Sequence, residues 1–268
     1  MTSEGFAPAK INLTLHVTGR RDDGYHLLDS LVMFADIGDR LWFEPDAQLS
    51  LTVTGPFAEG VPTDRRNLIW QAAEMAGQTA HITVEKNLPH GAGIGGGSSD
   101  AASVLRHYGV SAGASRLGAD VPVCLASSAQ RMQGIGDILA PVNGLPDLFA
   151  VLVNPRVHVP TPEVFKALQS RDNAPMPLDL PHFSTTQTFI DWLATQRNDL
   201  QDPAIARASV ISDAIDSLHA CPHTLMARMS GSGATCFGLC ETLEQAQSAA
   251  SILAADHPDW WVQPCRLS

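Results

Sequence analysis

Lysine is scarce in this chain of 268 residues. Lys10, Lys86 and Lys166 stand against fourteen arginines, and the formal net charge is −11. Such an acidic balance excludes general binding to nucleic acid or to an anionic membrane, since either needs a basic face. An anionic small-molecule ligand must therefore be met by local groups. No apolar run is long enough to span a bilayer. The first six residues, Met1 to Phe6, have neither the basic region nor the apolar core of a signal or transit peptide. Cysteine is limited to five residues with no Cys-x-x-Cys pair, which fits buried thiols in a reducing cytoplasm. There is no His-Glu-x-x-His zinc motif and no Gly-x-Ser-x-Gly nucleophile elbow. His219, Cys221 and His223 lie close in sequence, but Pro222 interrupts them, and no metal site is assigned. With 44% apolar residues and a mean hydropathy near zero, the chain reads as an ordinary globular protein of one or two domains.

Glycine, by contrast, is concentrated. Pro89-His90-Gly91-Ala92-Gly93-Ile94-Gly95-Gly96-Gly97-Ser98-Ser99 carries five glycines in seven positions, followed by Asp100 and a helical stretch to Tyr108. Glycines let successive N–H groups converge on a ligand, and a helix start behind them adds free donors and a partial positive charge. The site suits phosphate. It is not a Walker A loop, because no lysine follows the glycines. The dinucleotide fingerprint is matched by Gly91, Gly93 and Gly96, but the strand expected over 81–85 ends five residues too early for it. No His-Arg-Asp or Asp-Phe-Gly follows, as a protein kinase would require. Ser98 or Ser99 is expected as the helix N-cap. A second glycine-rich turn, Ser230-Gly231-Ser232-Gly233-Ala234, leaves two readings open: a tight hairpin turn, or a second backbone-donor loop for a triphosphate.

Apolar alternation predicts a strand through residues 6–17, with Ile11, Leu13, Leu15 and Val17 on one face. Further strands are expected near 31–35, 40–44, 49–53, 81–85 and 148–153, with helices over 67–75 and 99–108. The proline-bearing stretch 154–162 marks a boundary between an N-terminal domain (1–154) and a C-terminal domain (155–268). The second part reads as helices over 163–169, 186–195, 204–219 and 243–255, with strands over 224–229, 234–240 and 260–263. Paired strands with helices to one side predict an α+β sandwich.

Three segments carry a resemblance: Ala7-Pro8-Ala9-Lys10-Ile11-Asn12-Leu13, the stretch Pro89–Ala102, and Ser230–Ala234. They are similar to the three motifs of the galactokinase, homoserine kinase, mevalonate kinase and phosphomevalonate kinase superfamily. Asp23-Gly24-Tyr25-His26, Leu117-Gly118-Ala119-Asp120-Val121-Pro122, Val159–Phe165 and Asn198-Asp199-Leu200 narrow it to a branch acting on a cytidine diphosphate-linked alcohol. The resemblance implies a two-domain α+β fold. A mixed sheet with helices would form the N-terminal domain and a ferredoxin-like sandwich the C-terminal one, with the active site in the cleft between them.

It also implies ATP as co-substrate, with Mg2+ held mainly by phosphates and water. Asp120 would be the base for the acceptor hydroxyl and Lys10 its electrostatic partner. The nucleotide would be held by Pro89 through Ser99, with Gly231, Ser232 and Gly233, and with Asn67 and Lys86 near the adenosine. Asn12, Tyr25, His26, Thr161 and Phe165 would bind the acceptor, the two aromatic rings sandwiching cytosine. Taken alone, Asp120 also reads as a helix N-cap, Lys10 as an edge-strand lysine, and the aromatic residues as packing. Residues 109–116 form a shorter link before Asp120 than relatives carry, and Asp100 stands where they often have Asn or Ser. Two rival readings remain: a superfamily kinase of another specificity, such as a homoserine kinase, and a nucleotide-binding regulator without catalysis.

Overall fold

The structure, a computed structural model, describes residues 2–268. In chain order the first elements are β1 (Ser3–Asn12), β2 (His16–Arg20), β3 (His26–Pro45), β4 (Ser50–Thr54), α1 (Leu68–Met75), β5 (Ala80–Glu85), α2 (Gly96–His107) and α3 (Val121–Ala126). They are followed by β6 (Gln130–Gly134), β7 (Ile138–Pro141), β8 (Leu148–Asn154), α4 (Thr161–Lys166), α5 (Thr186–Ala194), α6 (Gln201–Arg207) and α7 (Val210–Ala220). Last come β9 (Met226–Met229), β10 (Cys236–Cys240), α8 (Leu243–Asp256) and β11 (Trp261–Leu267). No helix among the described residues is long and apolar enough to cross a membrane.

Two compact units result. One comprises Met1–Lys10, Ile37–His90 and Gly95–Ser127; the other comprises Ile11–Asp36, Gly91–Ile94 and Ser128–Ser268. This division does not follow a contiguous split at 154/155. Strand β8 is hydrogen-bonded on both sides, by β10 and β11, and so belongs with the strands of the C-terminal segment.

In the first unit, the 40–45 end of β3 pairs antiparallel with β5, and β5 pairs parallel with β4. Alternation along β5 buries Ala80, Ile82 and Val84. Helix α1 packs on α2, and α2 on α3. Ala101, Ala102, Val104 and Leu105 of α2 are fully buried. Strand β3 runs without a break where two strands are expected. Its Asp36-Ile37-Gly38-Asp39 stretch resembles a turn, yet Gly38 is there for close approach. A Cβ at that position would lie 2.2 Å from the Ala7 carbonyl oxygen.

In the second unit, β11, β8, β10 and β9 form an antiparallel sheet in that order, covered by α7 and α8. The 26–32 end of β3 pairs with β2 and β6, and β6 pairs with β7. The expected strand over 6–17 is interrupted after Asn12. The N–H groups of Leu13 and Thr14 both donate to the Leu31 carbonyl, and Leu15 instead bridges Asn198. Its polar side is as buried as its apolar one, since Asn12, Thr14 and His16 are at most 2% exposed. The single helix expected over 204–219 is two, because Ala208 is extended (φ −143°, ψ 90°). The hairpin of β6 and β7 is absent from the sequence reading.

Candidate active site

The N-terminus of α2 organises one group of site residues. The expected N-cap at Ser98 or Ser99 is instead Gly95, left-handed at φ 68°, with no side-chain cap bond. The helix therefore begins at Gly96, and the first-turn N–H groups of Gly96, Gly97 and Ser98 lie within the glycine run itself. The Ser99 hydroxyl is buried and donates to the Pro8 carbonyl at 2.8 Å, so it anchors the helix and is not turned toward a ligand. The Ser98 side chain remains partly exposed.

Lys10 lies along this helix start. A Cβ on Gly95 would be 3.3 Å from Lys10 Cβ and 3.5 Å from its Cε. The Lys10 ammonium donates to Asp120 Oδ2 at 2.7 Å. Lys10 is 4% exposed, whereas the Asp120 side chain keeps 34% of its surface. Asp120 occupies the N-cap position of α3 but makes no side-chain cap bond. Its carboxylate is committed to Lys10, which decides against a capping role. The link before it holds one 3-10 turn, Ala114–Arg116, and this short connection still delivers Asp120 to Lys10. After Asp120 the chain enters a helix, with Pro122 in its first turn.

The start of the glycine loop meets the second glycine turn. That turn joins β9 to β10 as a hairpin, and it is also moulded against the loop. The Ser230 hydroxyl donates to the Gly93 carbonyl and accepts from the Asn12 N–H, each at 3.1 Å. Thr235 N–H donates to the Ala92 carbonyl at 3.1 Å. A Cβ on Gly93 would fall 2.5 Å from the Ser230 carbonyl oxygen, and one on Gly231 would fall 2.7 Å from the Gly93 carbonyl oxygen. Only glycine fits either position. Asn198 Nδ2 donates to the carbonyls of Met229 and Gly231, both at 2.8 Å, and the hydroxyls of Ser232 and Thr161 are 2.7 Å apart. Ser230 and Asn198 are therefore shaping residues. The sequence singled out the Asn198-Asp199-Leu200 motif without a role for it.

Asn12 Nδ2 donates to Ser30 Oγ at 2.8 Å, while its Oδ1 is buried with no hydrogen-bond partner among the described residues. An orphaned buried carbonyl oxygen is costly unless a ligand donor meets it. His26 Nε2 is likewise buried and unpartnered among the described residues. The His26 ring stacks on Phe165, with centroids 4.9 Å apart at 25°, while Tyr25 is 61% exposed. Burial, with smaller contributions from the charges of Arg20 and Arg171, lowers the His26 pKa. Its neutral imidazole offers one donor and one acceptor.

Three expected nucleotide contacts have other partners. Asn67 is the N-cap of α1: its Oδ1 accepts from Ile69 N–H at 2.9 Å and its Nδ2 donates to the Pro62 carbonyl at 2.8 Å. Gly233 N–H donates to the Ser230 carbonyl within the turn. Lys86 is 4% exposed, and its ammonium is held by Asp39 and Asp100. Its side chain is thus a structural cation. Asp100, where relatives often have Asn or Ser, points at Lys86. Pro89, Ala92 and Ile94 are buried supports, and His90, Gly91 and Gly97 are exposed.

Burial pushes the Asp100 carboxyl up from 3.8 to about 7, against the opposing pull of the Lys86 ammonium. Between about pH 4 and 7 the native protein therefore holds a proton that the unfolded chain has released. Its contribution to stability is complete below that window and is lost as pH rises through it. Asp100→Asn should remove this slope. The melting temperature of the variant relative to wild type is expected to rise from pH 5 to about 7 and level off above it, and a constant difference across pH 5 to 8 would contradict it.

This architecture, an α+β fold with a glycine-rich helix start beside a lysine–aspartate pair, is that of the GHMP small-molecule kinases. Residues 67–144 match the family described as GHMP kinases N terminal domain, and residues 186–259 match GHMP kinases C terminal. A 4-diphosphocytidyl-2-C-methyl-D-erythritol kinase of Dinoroseobacter shibae is 61% identical, over 98% of this chain and 94% of its own. A crystal structure of 4-(cytidine 5'-diphospho)-2C-methyl-D-erythritol kinase superposes with a TM-score of 0.80 at 35% identity, covering 99% of both chains. Homoserine kinase from Cytophaga hutchinsonii shares the fold alone, with a TM-score of 0.62 at 14% identity over all of this chain and 94% of its own. The chain belongs to the 4-diphosphocytidyl-2-C-methyl-D-erythritol kinase family.

Proposed function

We propose that this protein transfers the γ-phosphoryl group of ATP to the 2-hydroxyl of 4-diphosphocytidyl-2-C-methyl-D-erythritol, giving the 2-phosphate, a step of non-mevalonate isoprenoid precursor synthesis. The pairing of Lys10 Nζ with Asp120 Oδ2 at 2.7 Å, in a chain so similar to relatives of that name, carries the reading. With Oδ2 engaged by Lys10, Oδ1 of Asp120 takes the hydroxyl proton. The hydroxyl oxygen bonds to the γ-phosphorus, the bond from that phosphorus to the β,γ-bridging oxygen breaks, and ADP leaves. The Lys10 ammonium offsets charge on the transferred group, and the N–H groups at the start of α2 grip the donor phosphates. Bound with the nucleotide, Mg2+ would supply positive charge to its phosphates. No group of three or more His, Cys, Asp or Glu side chains able to hold an ion occurs among the described residues.

At the acceptor end, Tyr25 and Phe165 stack on the cytosine faces, and His26 Nε2 reads its edge. The unpartnered Asn12 Oδ1 and the Thr161 hydroxyl orient the rest of the molecule. Asn67, Gly231, Ser232 and Gly233 shape the nucleotide surface through backbone placement. The test is a transfer assay with ATP and Mg2+ and three acceptors: 4-diphosphocytidyl-2-C-methyl-D-erythritol, mevalonate and homoserine. Turnover of the cytidylated acceptor alone is expected. Faster turnover of either competitor would overturn the assignment.

A further inference from the structure

The glycine loop has two stems in the first unit. Residues 86–88 lead into it, and residues 96–100 lead out along α2. Both converge on one side chain of β3. Asp39 is fully buried, and its Oδ1 accepts from the N–H groups of Asn87 at 2.5 Å and Leu88 at 2.9 Å. Its Oδ2 accepts from the Lys86 ammonium, which also donates to Asp100 Oδ2 at 2.5 Å. The first helical residue lies directly over this node. A Cβ on Gly96 would sit 3.8 Å from Lys86 Nζ and 3.9 Å from Asp39 Oδ2.

We propose that Asp39 is a positioning residue for the ATP site: through Asn87, Leu88 and Lys86 it fixes both stems of the glycine loop in one register, so that the first N–H groups of α2 are aimed at the donor phosphates. This rests on the nucleotide-binding role given to that loop above.

The physical need is specific. Glycine-rich backbone has little intrinsic preference for one conformation, and fixing it costs entropy. Charge–dipole attraction to a phosphate works only when the donors are already in place. Asp39 is a suitable anchor because the strand holding it is itself fixed: its neighbour Arg40 is paired with Glu85 of β5, the residue before Lys86. Lys86 then carries the restraint across the loop to α2. Three ionisable side chains buried together are expensive, and they contact one another and the loop backbone rather than solvent. That cost is rational if it holds a flexible loop to one shape.

Asp39→Asn and Lys86→Met test the idea. The amide keeps the shape of Asp39 but sets an N–H donor against either the Lys86 ammonium or the loop N–H groups. Methionine keeps the length of Lys86 without its two ionic contacts. Each variant is compared with wild type by calorimetric titration with MgATP in the absence of acceptor, and by steady-state kinetics. The dissociation constant for MgATP is expected to rise about ten- to a hundredfold, with KM for ATP following it. The KM for the acceptor should stay within about twofold, because the effect is confined to donor positioning.

Loss of melting temperature with unchanged MgATP affinity would overturn the proposal, as would equal weakening of both substrates. If Asp39→Asn fails to fold, Lys86→Met alone decides between these outcomes. The titration needs no acceptor, so a wild-type protein that binds ATP but ignores the cytidylated alcohol refutes the substrate assignment and leaves this proposal standing. A wild-type protein that does not bind MgATP refutes both.

Discussion

Asp120→Asn is expected to lower kcat by about 10²–10⁴-fold while leaving the dissociation constant for ATP unchanged. The amide is isosteric, and its oxygen can still accept from the Lys10 ammonium, so the site loses only the basic oxygen that receives the proton. The fold should hardly notice. Asp120 makes no cap bond to α3, and a third of its side-chain surface is exposed. Melting curves of the variant and wild type are therefore expected to coincide within about 1 kcal/mol. Single-turnover rates with saturating ATP separate the chemical step from product release. A variant that turns over at the wild-type rate would remove Asp120 from the role of base.

Arg131→Met is expected to cost stability rather than chemistry, by about 3–5 kcal/mol. Arg131 is buried and forms a bidentate pair with Asp29, Nε to Oδ1 at 2.8 Å and Nη2 to Oδ2 at 2.7 Å. Its remaining donors reach the carbonyls of Met176, Pro177 and Leu178. Asp29 Oδ2 in turn accepts from Met176 N–H at 2.9 Å. One guanidinium thus holds both a buried carboxylate and the irregular segment 176–178. Removing it leaves Asp29 charged and largely uncompensated, with three carbonyls unpaired. The melting temperature should fall by on the order of 10 °C. Adding Asp29→Leu should recover part of the loss, because the orphaned charge goes with it. A fall of less than about 2 °C for Arg131→Met would show that the pair is not a major restraint.

What was legible in the sequence was local. The alternation of Ala80, Ile82 and Val84 marks β5, and the Thr242/Gln245 capping box starts α8 within a residue of expectation. The glycine run was legible by composition as a candidate phosphate loop. Its register did not follow, because side-chain preferences favour a serine N-cap, whereas here left-handed Gly95 starts the helix one turn earlier. Strand β3 reads as two because Gly38 looks like turn chemistry when it serves a backbone crossing. Asp39 has no signal at all: nothing in a Gly-Asp pair says that the carboxylate will meet residues 86–88. Lys10 and Asp120 lie 110 residues apart, and only the motifs flanking them, read through a family resemblance, joined them before the structure did. Lys86 shows the opposite failure. The resemblance implied a place near the adenosine, but two buried carboxylates claim its charge, and their proximity is a matter of tertiary packing.

The backbone contact between Gly93 and Gly231 makes the two glycine-rich segments a single inherited part. Neither can acquire a side chain without displacing the other, although they are separated by more than half of the polypeptide. Drift at one is vetoed by the other, so both should change together or not at all. Anyone re-engineering either segment should mutate the two as one block, and a chimera that takes the first from one relative and the second from another would inherit a mismatched seam.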